Sequence, residues 1–251
     1  MSDTISIQTS ARVTTLTITR PNKRNAITQA MYGAMAAALK DYENSEARAF
    51  VITGAEDYFT AGNDLQDFSM ADHTAEKPPV MQFLEAISTC PKPVIAAVNG
   101  PAIGIGLTML LHCDLTYAAQ SATFTAPFVK LGLVPEAASS MLLAQSVGMA
   151  VANDILLAGR TLTADEAHSY GLISRVFPDA DFQAEVAQIA AHVANSAPEA
   201  VKLSKSLIRH NRGQEAAHMA KEAELFLSQL KSSEFAEVVA AMMQKRAPSF
   251  S

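Results

Sequence analysis

Glu136 is a lone carboxylate in the otherwise uncharged run "LGLVPEAASS", and it directly follows Pro135. An acid at this place can be a surface charge, can stabilise the first turn of a following helix through the helix dipole, or can act as a general base. Its apolar neighbours, which include Leu133, Val134 and Ala137, could exclude water and raise its pKa towards neutrality, as a general base requires. The local sequence leaves all three interpretations open.

Two glycine turns offer backbone groups that could act together with such an acid. Gly62 lies in "FTAGNDL", and three glycines lie in "NGPAIGIG". Each turn could direct backbone N–H groups at one point, so both are candidate anion sites. The second turn is not a dinucleotide fingerprint, because Met109 stands where the third glycine belongs, and the chain has no Gly-Lys-Ser/Thr phosphate loop there.

The elements around these turns alternate between strand and helix. "ISIQTS" and "RVTTLTIT" predict an antiparallel strand pair, Thr28 predicts the start of a helix through about Tyr42, and "AFVITG" and "KPVIAAVNG" predict buried strands. A helix is expected from near Leu107, and "DLTYAAQSATFTAP" has strand character. Thr163 and Glu166 have capping-box spacing. This order indicates an α/β fold with parallel strands.

From about Phe182 the pattern is almost wholly helical, with breaks at 196–198 and near 211–213. Many apolar positions in the last helices favour burial against the core or a second subunit. We therefore expect a core over residues 1–195 and a helical oligomerisation region over residues 196–251.

Composition excludes several classes of protein. The chain has 251 residues, 49% hydrophobic and 18% charged, and a formal net charge of -6, which argues against a nucleic-acid partner. Cys90 and Cys113 are expected to be reduced core thiols, and His73 and His112 have no paired metal-ligand spacing. The absence of a signal peptide and of an apolar run long enough for a membrane span predicts a cytoplasmic protein.

Five segments, in order and spacing, resemble the enoyl-CoA hydratase/isomerase (crotonase) superfamily: "RPNKRNAIT", "YFTAGNDLQDF", "KPVIAAVNGPAIGIGLTMLLHCDLTYA", "ATFTAPFVKLGLVPE" and "RTLTADEAHSYGLISRVF". The resemblance covers nearly the whole chain. It implies a core of repeated ββα units with two roughly perpendicular sheets, followed by helices that mediate trimerisation, often as a dimer of trimers. It also implies an acyl-coenzyme A thioester as substrate, with no separate cofactor and no metal.

The resemblance also assigns roles to residues. The backbone N–H groups of Asn63 and Ile105 would form an oxyanion hole for the thioester oxygen, and losing such a donor typically costs ~10²- to 10³-fold in rate. Arg24 is a candidate contact for the coenzyme A phosphates or adenine, with Lys23 beside it. The remaining predicted substrate-binding residues are Ala61, Gly62, Asp64 and Leu65, although Asp64 could instead cap the next helix. Candidates for an acyl pocket are Phe68, Met70, Met81, Phe83 and Leu84, although isolated apolar residues of this kind lie more often in the core.

The acids decide which reaction the resemblance implies. Hydratases of the family have two glutamates, at positions that here hold Thr108 and Phe128, so hydration is disfavoured. The "VPEAASS" and "AGNDL" segments are similar to peroxisomal-type Δ3,Δ2-enoyl-CoA isomerases, in which one glutamate follows proline. Glu136 would then be the only acid at the site and would shuttle one proton from C2 to C4. Residual hydration, dienoyl-CoA isomerisation and a catalytically silent acyl-CoA-binding paralogue remain alternatives.

Overall fold

The computed structural model describes residues 4–70 and 77–250, without the side chains of residues 68–70. The described residues form nine strands: β1 (Ile5–Ser10), β2 (Val13–Ile18), β3 (Ala49–Gly54), β4 (Val94–Val98), β5 (Ala102–Ile103), β6 (Leu115–Ala119), β7 (Thr123–Thr125), β8 (Leu162–Thr163) and β9 (Arg175–Phe177). Six of them form one sheet in the order β1-β2-β3-β4-β6-β9, and three form a second sheet in the order β5-β7-β8. The β1/β2 pair is antiparallel, whereas the other neighbours in the larger sheet are parallel.

Helices connect the parallel strands, because such strands need long crossover connections. They are α1 (Gln29–Asn44), α2 (Leu65–Met70), α3 (Pro79–Thr89), α4 (Ile105–Thr108), α5 (Ser139–Leu156), α6 (Ala164–Ser169), α7 (Phe182–Asn195), α8 (Pro198–Ile208), α9 (Arg212–Gln229) and α10 (Ser233–Met243). Short 3-10 helices cover Pro21–Lys23, Met109–His112 and Val129–Leu131. The α/β fold class predicted from the sequence is confirmed.

The larger sheet is covered on both faces, which explains why β3 and β4 are apolar at every position or nearly so. Phe50 and Ile52 face the main core, together with the buried side of α1. Val51 points to the opposite face and packs with Phe182 and Val186 of α7. Because side chains alternate along a strand, an uninterrupted apolar strand can stabilise helices on both sides.

Local sequence signals correctly predicted several element boundaries. The Thr28 hydroxyl accepts a hydrogen bond from the Met31 N–H at 3.3 Å and caps α1. Thr163 and Glu166 form the reciprocal capping box of α6. Both breaks expected in the helical tail are present, before α8 and before α9. These signals depend on neighbouring residues alone, which is why the sequence suffices for them.

Two predicted elements differ from the structure. The segment "DLTYAAQSATFTAP" is not one strand but two, β6 and β7, because a turn closed by the Ala122 N–H and the Ala119 carbonyl moves the chain from the larger sheet to the smaller one. The helix expected from near Leu107 begins earlier, at Ile105, and continues as a 3-10 turn.

The helices after residue 197 combine buried and exposed apolar residues. Met219 and Phe226 of α9 and Val238 of α10 are buried, whereas Leu203 and Leu207 of α8 are 62% and 76% exposed. The division of the chain at residue 195 stays a prediction. Within the residues described, no helix combines the length and the apolar character needed to cross a membrane.

Candidate active site

The two glycine turns lie side by side. The Thr60 N–H donates to the Pro101 carbonyl at 3.1 Å, and the Ile103 N–H donates to the Thr60 carbonyl at 3.0 Å. Gly62 has a φ of +89°, and a Cβ at this position would lie 2.8 Å from the Ile103 carbonyl oxygen. Only glycine combines this backbone conformation with such a close approach. The sequence-predicted turns therefore meet at one place.

The turns leave two backbone donors free. Ile27 and Asn63 form a parallel bridge in which the Ile27 N–H donates to the Gly62 carbonyl and the Asp64 N–H to the Ile27 carbonyl, so the Asn63 N–H points the other way. Ile105 is the first residue of α4, where N–H groups lack an intrahelical acceptor. Neither N–H group has a hydrogen-bond partner among the described residues.

A cavity of about 120 Å³ lies between these donors and the C-terminal helices. Most of the side chains that line the cavity are apolar. Three of the lining residues belong to the chain after residue 225. Its lining consists of Ala61, Gly62, Asn63, Leu65, Ile103, Gly104, Ile105, Pro127, Phe128, Leu131, Leu133, Phe226, Leu230 and Phe235. Two N–H donors at a largely apolar cavity can stabilise a negative oxygen while excluding water.

Glu136 is joined to this region through Thr108, although it does not line the cavity itself. The Thr108 hydroxyl, at the end of α4, donates to Oε1 of Glu136 at 2.5 Å. Burial raises the pKa of Glu136 to about 7, the Thr108 hydrogen bond opposes this rise, and the charge of Glu222 adds to it. A carboxylate with this pKa can accept and return a proton near neutral pH.

The turn that follows Glu136 has an unusual backbone. Ala137 and Ala138 have positive φ angles of 59° and 57°, a region that non-glycine residues rarely occupy. The Ser139 N–H closes the turn on the Glu136 carbonyl at 3.0 Å, and Nε2 of His112 donates to the Ala137 carbonyl at 2.8 Å. Burial lowers the pKa of His112 to about 4, so this imidazole is neutral and helps to hold the turn.

The structure brings only some of the predicted binding residues to the cavity. Ala61, Gly62 and Leu65 line it, together with both predicted oxyanion donors. Asp64 does not, because its carboxylate accepts from the Gln66 and Asp67 N–H groups and pairs with Arg20 at 2.7 Å. Burial raises the pKa of Asp64, but the hydrogen bonds and the charge of Arg20 outweigh burial and lower it.

Arg24 is exposed and lies apart from the cavity. Its guanidinium stacks over the Tyr58 ring at 5.6 Å, and its carbonyl accepts from the Ala61 N–H at 2.9 Å. Arg24 therefore borders the Gly62 turn through its backbone, while its cationic side chain stays available to an anionic group in solution.

The acyl-pocket candidates whose side chains are described lie in or against the core, which is the alternative that the sequence also allowed. Phe83 and Leu84 belong to the core, and the Phe83 ring packs 5.6 Å from that of Tyr32. Met81 packs against the same core. Amphipathic spacing cannot distinguish a core-facing side chain from one that faces a cavity. The predictions for Phe68, Met70 and His73 fall outside the described side chains.

Three functional candidates were missed by the sequence. The Tyr32 hydroxyl donates to Oδ1 of Asn63, and the buried Asn25 side chain binds the Ala55 and Tyr58 carbonyls. Glu222 is a buried second carboxylate whose charge acts on Glu136, but it does not line the cavity, so the expectation that Glu136 alone serves the site as an acid stays a prediction. The available signal was an acid within the apolar helical stripe of Met219 and Phe226, at spacings of three and four residues.

Comparisons with known proteins agree with this architecture. Residues 8–251 match the family described as "Enoyl-CoA hydratase/isomerase". The chain is 40% identical over 218 residues to enoyl-CoA delta isomerase 2 of Rattus norvegicus, a match that covers 84% of this chain and 56% of that protein. It is 36% identical to a probable enoyl-CoA hydratase of Rhodobacter capsulatus, with 98% of this chain and 97% of that protein covered.

A solved structure of an enoyl-CoA hydratase/isomerase from Pseudoalteromonas atlantica has a TM-score of 0.96 and 50% sequence identity, and the match covers 99% of this chain and 100% of that one. The chain thus spans little more than half of the rat relative but the full length of the bacterial proteins. The family match over nearly the whole sequence and the shared fold lead to one conclusion: the chain belongs to the enoyl-CoA hydratase/isomerase (crotonase) family.

Proposed function

We propose that this protein is a Δ3,Δ2-enoyl-CoA isomerase, which moves a cis or trans double bond at C3 of an acyl-CoA thioester to the trans-2 position. The observation that carries the proposal is the hydrogen bond that joins Glu136 to Thr108, at the end of the short helix whose first residue, Ile105, offers one of the two free N–H groups, with Asn63 offering the other. The family acts on acyl-CoA thioesters. Such substrates fit a role in fatty acid β-oxidation.

In the proposed reaction, the ionised Glu136 removes a proton from C2. The electrons of the C–H bond form a dienolate, whose negative charge develops on the thioester oxygen and is stabilised by the Asn63 and Ile105 N–H groups. Protonated Glu136 then returns the proton to C4, and the double bond forms between C2 and C3. The carboxylate ends in its initial state, so no water and no further acid is consumed.

The residues at the two positions where family hydratases have glutamates favour this shift over hydration. Thr108 and Phe128 stand where hydratases of the family have glutamates, and Phe128 contributes an apolar ring to the cavity. A hydratase needs one group to activate water and another to handle the C2 proton. Thr108 cannot act as a base, and Phe128 excludes water, so a single-carboxylate proton shift is the better match.

The remaining features of the proposal concern binding and assembly. Coenzyme A enters as part of the substrate, with the exposed guanidinium of Arg24 as a candidate partner for its phosphates, and no separate cofactor or metal takes part. Exposed apolar residues on α8 support a homotrimer or a dimer of trimers. We further propose that the protein works in the cytoplasm.

A direct test compares the wild-type protein with Glu136→Gln on 3-enoyl-CoAs of several chain lengths, following the ultraviolet absorbance of the conjugated product. We expect a fall in kcat of ~10²-fold or more, because the general base is lost. Glu199→Gln, an exposed substitution of the same type on α8, is the control. Unchanged isomerisation in Glu136→Gln, or hydration of crotonyl-CoA by the wild type at a rate above isomerisation, would contradict the proposal.

A further inference from the structure

Helix α5, which follows the Glu136 turn, begins without a cap of its own. Its N-cap residue is Ala138, which has no side-chain hydrogen bond to offer. The cap comes from another helix, because Oε1 of Glu222 on α9 accepts from the Ser140 N–H at 2.9 Å and from the Ser140 hydroxyl at 2.5 Å. A carboxylate at a helix N-terminus satisfies a free donor and interacts favourably with the helix dipole. Glu222 therefore stabilises the first turn of α5 at Ser140, four residues after Glu136.

The other oxygen of Glu222 has no such explanation. The residue is only 5% exposed, and its Oε2 is buried without a hydrogen-bond partner in the described part of the chain. A buried carboxylate oxygen without a partner is costly for folding. An apolar residue at this position would avoid that cost, so the charge at this position calls for an explanation in function.

We propose that Glu222 is a positioning residue for Glu136: it holds the strained turn that carries the base, and its negative charge acts on the base carboxylate. The inference rests on the proposed role of Glu136 as the proton shuttle. Two successive alanines with positive φ separate Glu136 from α5, so the turn needs a fixed anchor at its far end. The hydrogen bonds of Glu222 to Ser140 supply it.

The charge of Glu222 acts in the direction that a general base needs. A nearby negative charge disfavours a second negative charge, and Glu222 raises the pKa of Glu136 beyond the effect of burial. Other described residues also face Glu136 or Glu222. Thr108 of α4 hydrogen-bonds Glu136, Tyr32 of α1 interacts with the Glu136 charge, and Nε2 of His218 on α9 lies 3.4 Å from Oε1 of Glu222.

Two substitutions separate the anchor from the charge. Glu222→Gln keeps an oxygen for Ser140 but removes the charge, whereas Glu222→Asp keeps the charge but shortens the reach to Ser140. Glu215→Gln is the matched control, because Glu215 is a buried glutamate on the same helix whose Oε2 also lacks a partner among the described residues, and it is not one of the groups named as shifting the pKa of Glu136. Each variant is compared with wild type in the pH profile of kcat/KM for a 3-enoyl-CoA.

The ionisation of Glu136 is also followed without substrate, from the carboxyl infrared band that Glu136→Gln removes. We expect the midpoint of both titrations to fall by about half a pH unit or more in Glu222→Gln, and to stay near the wild-type value in Glu215→Gln and Glu222→Asp. An unchanged midpoint in Glu222→Gln overturns the proposal. Equal shifts in Glu222→Gln and Glu222→Asp, or a Glu222→Gln chain that does not fold, would show a structural cap only and also overturn it. If wild type lacks isomerase activity, the proposed function fails while the infrared titration still decides the role of Glu222.

Discussion

The hydroxyl of Thr108 donates a hydrogen bond of 2.5 Å to the carboxylate of Glu136. This contact joins the end of α4, which begins at the proposed oxyanion donor Ile105, to the turn that carries the proposed base. Hydratases of the family have a glutamate at the position of Thr108. In this chain Thr108 instead hydrogen-bonds Glu136, which lies 28 residues later in the sequence. The hydrogen bond favours the ionised form of Glu136 and so limits the rise of its pKa caused by burial.

The first prediction follows from that bond. Thr108→Val keeps the shape of the side chain but removes the donor, so the pKa of Glu136 should rise above about 7. Because the base must be ionised to take the C2 proton, kcat/KM at pH 7 should fall several-fold and the acid limb of its pH profile should move to higher pH. Thr161→Val, at a hydroxyl that shares a hydrogen bond with that of Thr125, is the control. An acid limb that stays in place would show that the hydrogen bond is energetically unimportant.

The second prediction concerns stability and pH. The pKa of Glu136 is about 7 in the folded protein and 4.5 in its ordinary state, so ionisation above pH 7 costs folding free energy. Each pKa unit corresponds to about 1.4 kcal/mol. Glu136→Gln should therefore increase the free energy of unfolding by about 1–3 kcal/mol at pH 8. The gain should shrink as the pH falls from 7 to 4.5 and should nearly vanish below pH 4.5, because the wild-type carboxyl is then neutral in the unfolded as well as in the folded chain. Urea unfolding of both proteins at several pH values measures the difference in their free energies of unfolding. A difference that is the same at all pH values would contradict the raised pKa of Glu136.

The third prediction concerns the Gly62 turn. Gly62→Ala places a Cβ 2.8 Å from the Ile103 carbonyl and forces a residue with a side chain into a positive φ. The turn must shift, which should misplace the Asn63 N–H and lower kcat by ~10²- to 10³-fold. Gly213→Ala is the matched control, because no atom lies within 4 Å of its added Cβ. The measurement is isomerase kinetics, with circular dichroism to monitor the fold. A Gly62→Ala variant with the wild-type kcat would contradict the assignment of the Asn63 N–H group to the oxyanion hole.

The fourth prediction concerns assembly. Leu207 and Ile208 of α8 are each 76% exposed, next to Leu203 on the same helix. If this surface joins subunits, a charge there would be buried without a partner, so Leu207→Glu should shift the protein from trimer or hexamer to monomer in sedimentation velocity. Ile7→Glu, at an exposed apolar residue of β1, is the control and should leave assembly unchanged. A Leu207→Glu variant that keeps the wild-type sedimentation coefficient would exclude α8 from the interface.

Much of the fold could be predicted because its signals are local. The strand pair β1/β2, the caps at Thr28 and Thr163 and the breaks in the helical tail follow from residues a few positions apart. The meeting of the two glycine turns was also foreseeable, since the turns follow consecutive parallel strands, β3 and β4. The passage of the chain from the larger sheet at β6 to the smaller sheet at β7 could not be foreseen, because the sequence pattern of a strand does not say which sheet it joins.

The sequence by itself determined the lone acid Glu136, its apolar neighbours and the two glycine turns. Only the tertiary structure decided which residues surround them. Glu222 reaches Ser140 across 82 positions of the chain, and Leu230 and Phe235 close the cavity from the C-terminal helices. Phe83 and Leu84, for which the sequence allowed either the core or an acyl pocket, lie in the core. The physical reason is that burial, cavity shape and the proton affinity of a carboxylate depend on atoms that are close in space, and chain spacing fixes those only within a single element.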